Sequence, residues 1–142
     1  MIKMKKYLFI IPLLISFVSC QQKIEKADIV KINGYWEITK VTSDDGKEKN
    51  YSINEIIDYF EIKNNSGFRK KVTPQFDGKY LVNDVSETIK IVSENGKTNI
   101  FYTTPYSKWK EEIITLTDTE LVLKNEQKTQ YNYKRPTPFS VK

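Results

Sequence analysis

The sequence predicts an all-β domain, built as an antiparallel barrel or sandwich. Short runs rich in β-forming residues recur along the chain, turn residues separate them, and no long stretch has a helical period. The nine runs are Gly34–Val41, Ile56–Lys63, Phe68–Thr73, Lys79–Val82, Thr88–Ser93, Thr98–Thr103, Lys108–Thr117, Glu120–Lys124 and Thr129–Lys134.

The first twenty residues have the pattern of an export signal. Three lysines in the first six residues precede an apolar run, Tyr7–Val18, which ends at the small residue Ser19 and at Cys20. A membrane-spanning helix needs about 20 apolar residues, so this run is too short for a permanent span. A basic start, a short apolar run and a small residue at the cleavage point are typical of a secretory signal.

The end of this segment, Phe17-Val18-Ser19-Cys20, resembles a bacterial lipobox, in which the cysteine is lipidated and becomes the mature N-terminus. The resemblance implies a lipid anchor at Cys20 that binds the protein to a membrane of the cell envelope. Gln21 stands where inner-membrane retention signals often have aspartate, which favours the outer membrane. An ordinary signal peptide or an uncleaved N-terminal helix is the alternative.

These features divide the chain into a signal peptide (1–19), a lipidated N-terminus and tether (20–33), the β domain (34–135) and a tail (136–142). The whole chain has 142 residues, with 23 basic and 18 acidic side chains. Three of the basic residues belong to the signal, so the mature domain is close to neutral. We therefore expect no nucleic-acid partner, because such a partner requires a clustered basic face.

The tether and the turns follow from local residue types. Ile24, Ala27 and Val30 have a helical spacing, which predicts one short helix before the first strand, preceded by mobile polar residues. Asn95-Gly96 predicts the clearest hairpin, and Asn83-Asp84 is also read as a turn.

Several segments together resemble the lipocalin-like domains of small bacterial lipoproteins. They are Gly34-Tyr35-Trp36, Phe76–Tyr80, Ile114–Lys124 and Tyr131–Arg135. The resemblance implies an up-and-down barrel of about eight strands, preceded by a short N-terminal helix. Because nine runs are present, we expect one of the short runs to be a loop.

The resemblance also implies structural roles for three residues. Gly34 opens the first strand, and Trp36 packs near a basic residue at the end of the last strand. That residue would be Arg135, with Lys134 as the second choice.

Catalysis is not expected. The chain has no histidine and one cysteine, which excludes the Ser-His and Cys-His pairs and the usual zinc ligand sets. Glu111 and Glu112 are adjacent in a predicted strand, so their side chains point to opposite faces and cannot act on one substrate. We therefore expect no enzyme, no metal and no cofactor.

A ligand site can be placed only if the orientation of one strand is assumed. If Phe68 and Val72 face the barrel interior, regular alternation puts Lys70 inside as well, where it needs an anionic partner. Glu111 or Glu112 would be that partner in the empty barrel. In the alternative, Lys70 is a solvated surface charge and the barrel is filled.

The resulting hypothesis is that the barrel binds a small apolar or acidic amphipathic molecule, such as a fatty acid. The candidate ligand-binding residues are Phe60, Phe68, Lys70, Tyr102, Trp109, Glu111 and Glu112. The second hypothesis is a protein-interaction module of the envelope, an accessory protein or an enzyme inhibitor, in which a filled barrel presents its surface to a protein.

Overall fold

The computed structural model describes residues 21–137, so the predictions for the signal peptide, for Cys20 and for residues 138–142 lie outside the described residues. Within the described part, no helix is long and apolar enough to cross a membrane. A 3-10 helix, Lys26–Ile32, precedes nine strands. The strands are β1 (Gly34–Thr42), β2 (Glu48–Asn50), β3 (Ile57–Lys63), β4 (Ser66–Pro74), β5 (Tyr80–Glu94), β6 (Lys97–Thr103), β7 (Lys108–Leu116), β8 (Glu120–Asn125) and β9 (Gln130–Lys134).

Eight of these strands form a closed antiparallel barrel. The order is β1-β3-β4-β5-β6-β7-β8-β9, and β9 pairs with β1 to complete the circle. The three-residue strand β2 pairs with the end of β1, beyond the residues of β1 that pair with β3. The predicted all-β barrel is therefore confirmed, and the sandwich alternative is not.

The prediction that one short run is a loop is wrong. The runs Lys79–Val82 and Thr88–Ser93 are two parts of the single strand β5. Asn83-Asp84, read as a turn, lies inside that strand, where three residues of β5 stand opposite one residue of β4. The chain bulges at this point and then continues in the same direction, because β4 pairs with β5 on both sides of the irregularity.

Two hairpins turn on residues with positive φ angles. Asn95 (φ 54°) and Gly96 (φ 74°) connect β5 to β6, as predicted. Asn64 (φ 51°) and Asn65 (φ 62°) connect β3 to β4 in the same way. Asparagine and glycine tolerate this conformation, which matches the twist of the paired strands.

The 3-10 helix lies at one end of the barrel and contributes to its core. Ile29 and Ile32 are buried against Trp36. The predicted short helix is thus present, although as a 3-10 helix of seven residues. The opposite end, where β3 begins and β4 ends, is called the mouth below. The rest of the core lies between the two ends and comprises Phe60, Ile62, Ile89, Ile91, Ile100, Tyr102, Ile113, Leu116, Leu121, Leu123 and Tyr133.

The polar residues ahead of the helix, predicted to be mobile, are hydrogen-bonded to β7. The side-chain amide of Gln21 donates to Glu112 Oε1 over 2.7 Å. The side chain of Gln22 donates to the carbonyl of Leu116 and accepts from its amide, both over 3.0 Å. The chain therefore runs along the outside of β7 before it enters the helix.

Candidate functional site

The closed end carries the contact that the resemblance implies. The Arg135 guanidinium lies 3.7 Å from the centroid of the Trp36 ring, and it donates to the carbonyls of Lys31 and Asn33. A Cβ at Gly34, whose φ is 104°, would lie 3.1 Å from Arg135 Nη1. These residues hold the helix against the barrel and form a structural site.

The orientation of β4 differs from the one that places Lys70 inside. Val72 faces inward, but Phe68 and Lys70 lie on the outer face, where Lys70 Nζ sits 5.4 Å from the Phe68 ring centroid. Arg69 is the buried cation, only 7% exposed. The assumption that Phe68, Lys70 and Val72 share a face is wrong, because regular alternation breaks between Lys70 and Val72, where the pairing of β4 with β5 shifts its register. This bulge changes which residues point inward.

Five charged residues, which we call the mouth cluster, occupy the mouth half of the barrel. Arg69 donates from Nε to Glu87, and its Nη1 lies 3.8 Å from Glu111 Oε2. Lys71 donates to Asp58, whose side chain is only 4% exposed. Buried charges need partners of opposite sign, and each member of the cluster has one.

Aromatic rings surround the buried guanidinium. The Arg69 Cζ atom lies 4.4 Å from the centroid of the Tyr102 ring and 5.9 Å from that of Phe60. Burial alone would lower the pKa of Arg69, but Tyr102 and the carboxylates of Glu87 and Asp58 raise it above the usual range. The guanidinium is therefore a permanent positive charge inside the barrel.

Glu111 and Glu112 lie on opposite faces, as predicted. Glu111 is buried in the cluster, whereas Glu112 faces outward and pairs with Lys97 at 3.5 Å. Burial raises the pKa of the Glu111 carboxyl, and Tyr102 and Arg69 offset this only in part. Among residues 21–137, the Glu111 Oε2 atom and the hydroxyl of Tyr102 are buried without a hydrogen-bond partner, although Arg69 Nη1 lies 3.8 Å from that oxygen.

The predicted ligand-binding residues separate into two groups. Phe60 and Tyr102 are fully buried, and Trp109 is half-buried and stacks on Tyr102 with the ring centroids 5.1 Å apart. Because the exposed fractions of Phe60 and Tyr102 are 0% and 1%, neither ring borders a space that admits water. The structure places these three residues and Glu111 inside the barrel, and Phe68, Lys70 and Glu112 outside.

Two adjoining cavities lie at the mouth. The outer one, which we call the mouth cleft, has a volume of about 250 Å³ and is lined by Ile56, Lys71, Thr73, Leu81, Val82 and Asn83. The second, called the inner pocket, has a volume of about 70 Å³ and is lined by Trp36, Ile38, Ile56, Ile57, Asp58, Lys71 and Tyr133. Ile56 and Lys71 line both cavities, so the two are neighbours across the Lys71–Asp58 ion pair.

The residues that sequence reasoning missed are mainly the charged ones around Lys71. The run Arg69-Lys70-Lys71 is recognisable as the densest basic stretch of the domain, but regular alternation selects its middle residue. Asp58 carries no signal, because a single carboxylate in a strand is usually solvated.

Two comparisons with known proteins bear on this barrel. The family model for the lipocalin-like domain matches residues 32–123. Comparison with curated protein sequences finds no match.

Two solved structures have a similar backbone. A lipocalin-like protein from Bacteroides uniformis ATCC 8492 is 13% identical, with a TM-score of 0.49, over 75% of this chain and 99% of its own. An uncharacterized protein from Bacteroides eggerthii DSM 20697 is 15% identical, with a TM-score of 0.47, over 73% of this chain and 98% of its own. The family model covers well over half of the chain, and the protein therefore belongs to the lipocalin-like domain family.

Proposed function

We propose that this protein is a lipid-anchored, non-enzymatic lipoprotein of the bacterial cell envelope that binds a small amphipathic molecule with an acidic head. The observation that carries the proposal is the meeting of the mouth cleft and the inner pocket at Lys71, above a buried charge cluster. The lipocalin-like family is in general a binding fold, which agrees with a binding role.

The mouth cleft has the two kinds of surface that an amphipathic ligand needs. Ile56, Leu81 and Val82 are apolar, and their exposed fractions are 57%, 65% and 47%. A ligand's hydrocarbon body would cover them and remove apolar area from water. Large exposed apolar residues that lie together mark binding sites in soluble domains.

Lys71 supplies the positive charge for the head. Its side chain is 52% exposed although its partner Asp58 is buried, so the ammonium is accessible from the cleft. An ammonium has three donors, so it can bind Asp58 and an incoming carboxylate together. The acidic ligand class inferred from the sequence is retained, but the cation is Lys71 and not Lys70, which lies on the outer face.

Anchoring rests on the sequence of the first twenty residues. Lipidation of Cys20 with more than one acyl chain would hold the protein firmly on the membrane, since one chain alone gives only reversible binding. Cys20→Ala should release the protein from the membrane fraction or block its maturation. Normal retention of that variant in a detergent-partition assay would exclude the anchor.

The binding role is tested by native mass spectrometry of the mature protein purified from membranes. We expect a co-purifying acidic amphiphile in the wild type, less of it in Lys71→Met, and the wild-type amount in Lys70→Met. The two lysines are adjacent, but only Lys71 lines the cleft. Bare protein in all three samples would contradict the proposal.

A specific observation also favours the protein-interaction alternative. The segment Tyr80–Glu87 of β5 pairs with β4 on one side, and within residues 21–137 β6 begins to pair only at Thr88. This segment carries the exposed Val85, at 71%, and could accept a strand from a partner protein. Val85→Lys should then abolish capture of that partner, whereas Val30→Lys, which changes another exposed valine, should not.

A further inference from the structure

We infer that the barrel lies on its side against an anionic membrane surface, with the outer wall of β6, β7 and β8 facing the lipid headgroups. The inference rests on the proposed lipidation of Cys20. It adds the orientation of the protein and the chemistry of the surface that it contacts.

The start of the described chain is held against the outer side of β7. Gln21 is hydrogen-bonded to Glu112 in the middle of β7, and Gln22 to Leu116 at its end. Gln21, the first residue that the structure describes, is thus fixed beside this wall, and the proposed lipid attachment is one residue earlier in the sequence. Lipidation one residue before Gln21 would bring the bilayer surface to this side of the barrel, because Gln21 and Gln22 are both bound to β7.

The same wall of the barrel carries an excess of positive charge. A cleft of about 330 Å³, which we call the basic cleft, contains four lysines and two glutamates. Its lining is Lys97, Asn99, Lys110, Glu112, Lys124, Asn125, Glu126 and Lys128. Glu112, which binds Gln21, is part of this lining, so the anchor and the basic cleft are adjacent.

The lysines of the basic cleft remain available to phosphate groups. Lys97 and Lys110 lie 3.5 Å and 3.9 Å from the carboxylates of Glu112 and Glu126, and Lys128 lies 4.0 Å from Asp44. These pairs are long, and the three lysine side chains are 61%, 43% and 67% exposed, so the pairs contribute little. The excess of positive charge therefore favours a surface of anionic lipid headgroups.

This orientation leaves the ligand site in water. In the eight-strand circle β3 stands opposite β7, and the mouth cleft is lined by residues adjoining or within β3, β4 and β5. The wall with the mouth cleft would then face away from the bilayer, and a ligand could enter and leave without displacing the protein from the membrane.

Thiol accessibility tests the orientation, using the mature lipidated protein in vesicles. Cys20 is the only cysteine and is occupied by lipid, so an introduced cysteine is the single free thiol. Lys124→Cys reports on the basic cleft, and Lys70→Cys reports on the outer face of β4. In vesicles containing phosphatidylglycerol, a membrane-impermeant maleimide should label Lys124→Cys at least about fivefold more slowly than in detergent. Lys70→Cys should react at similar rates in both.

A charge reversal separates electrostatic contact from simple proximity. In the Lys124→Cys background, Lys110→Glu should abolish the protection, whereas Lys63→Glu, with the same change of net charge, should preserve it. Equal labelling at positions 70 and 124 of protein whose intact mass shows lipidation would overturn the orientation and leave the anchor standing. A mass without lipid would overturn the anchor and the orientation together.

Discussion

At the scale of single residues, the neighbours Glu111 and Glu112 show how burial determines chemistry. Their side chains leave the same strand in opposite directions, one into the mouth cluster and one towards Lys97 and Gln21. Burial raises the pKa of the Glu111 carboxyl. The folded protein therefore holds a proton at Glu111 at pH values where the unfolded chain has lost it.

This shift predicts a pH-dependent contribution to stability. A raised folded pKa stabilises the fold below the unfolded value of about 4.3, and this stabilisation is lost as the pH rises through the folded value. Glu111→Gln cannot ionise, so its free energy of unfolding should rise relative to that of the wild type as the pH increases above the unfolded value of about 4.3. Urea unfolding at several pH values measures this difference. The same profile for Glu111→Gln and for the outer-face control Glu112→Gln would contradict the prediction.

Substitution of Trp36, at the closed end, should lower the stability of the protein strongly. Its side chain is fully buried, its indole NH donates to the Ile32 carbonyl over 2.7 Å, and Arg135 covers the ring. Trp36→Ala should lower the free energy of unfolding by about 3–5 kcal/mol, through lost contacts and a cavity. The half-buried Trp109 is the control, and Trp109→Ala should cost clearly less. Equal losses in urea unfolding would show that Trp36 is not central to the core.

At the scale of elements, the β3–β4 hairpin depends on one close approach. A Cβ built on Gly67 would lie 1.8 Å from the carbonyl oxygen of Glu61, so no side chain fits unless the strands separate. Gly67→Ala should therefore destabilise the protein by at least about 2 kcal/mol. At Gly78 an added Cβ would contact nothing within 4 Å, so Gly78→Ala should cost only the strain of the positive φ angle, about 1 kcal/mol of stability. Similar melting temperatures for the two variants would contradict this account.

Strand β4 also shows what could be predicted from the sequence and what could not. The alternation of residue types predicted that this segment is a strand. Its basic run, Arg69-Lys70-Lys71, is visible in the sequence itself. Alternation could not locate the irregularity, because three residues of β5 stand opposite one residue of β4 there, and this mismatch exists only once the two strands are paired. The buried cation of β4 is therefore Arg69, whereas regular alternation predicted Lys70.

The prediction for the segment that forms β5 was wrong for a related reason. Asn83-Asp84 has the composition of a turn, and local composition cannot distinguish a turn from a bulge inside a long strand. The structure has a bulge here, because β5 pairs with β4 both before and after Asn83-Asp84. Such pairing exists only in the assembled sheet and cannot be read from local composition. The Asn95-Gly96 hairpin was predictable because its φ angles depend on local residue types.

At the scale of the whole molecule, the barrel has two unlike ends. The helix, Trp36 and Arg135 close one end with an apolar core, whereas the other end combines buried charges with exposed apolar residues. The closed end was predictable through the resemblance. The mouth was not, because Asp58, Arg69 and Lys71 come together only through the register of two paired strands.

The proposed binding of an acidic amphiphile to the mouth cleft through Lys71 is tested by one titration. A fluorescent fatty acid is added to the mature wild type, Lys71→Met, Lys71→Arg and Lys70→Met, and the melting temperature of each confirms that it is folded. Loss of a charged hydrogen bond should weaken binding about tenfold or more in Lys71→Met, whereas Lys71→Arg should retain much of the affinity. Lys70→Met should bind like the wild type. Equal affinities in all four proteins, or no binding to the folded wild type, would contradict the claim.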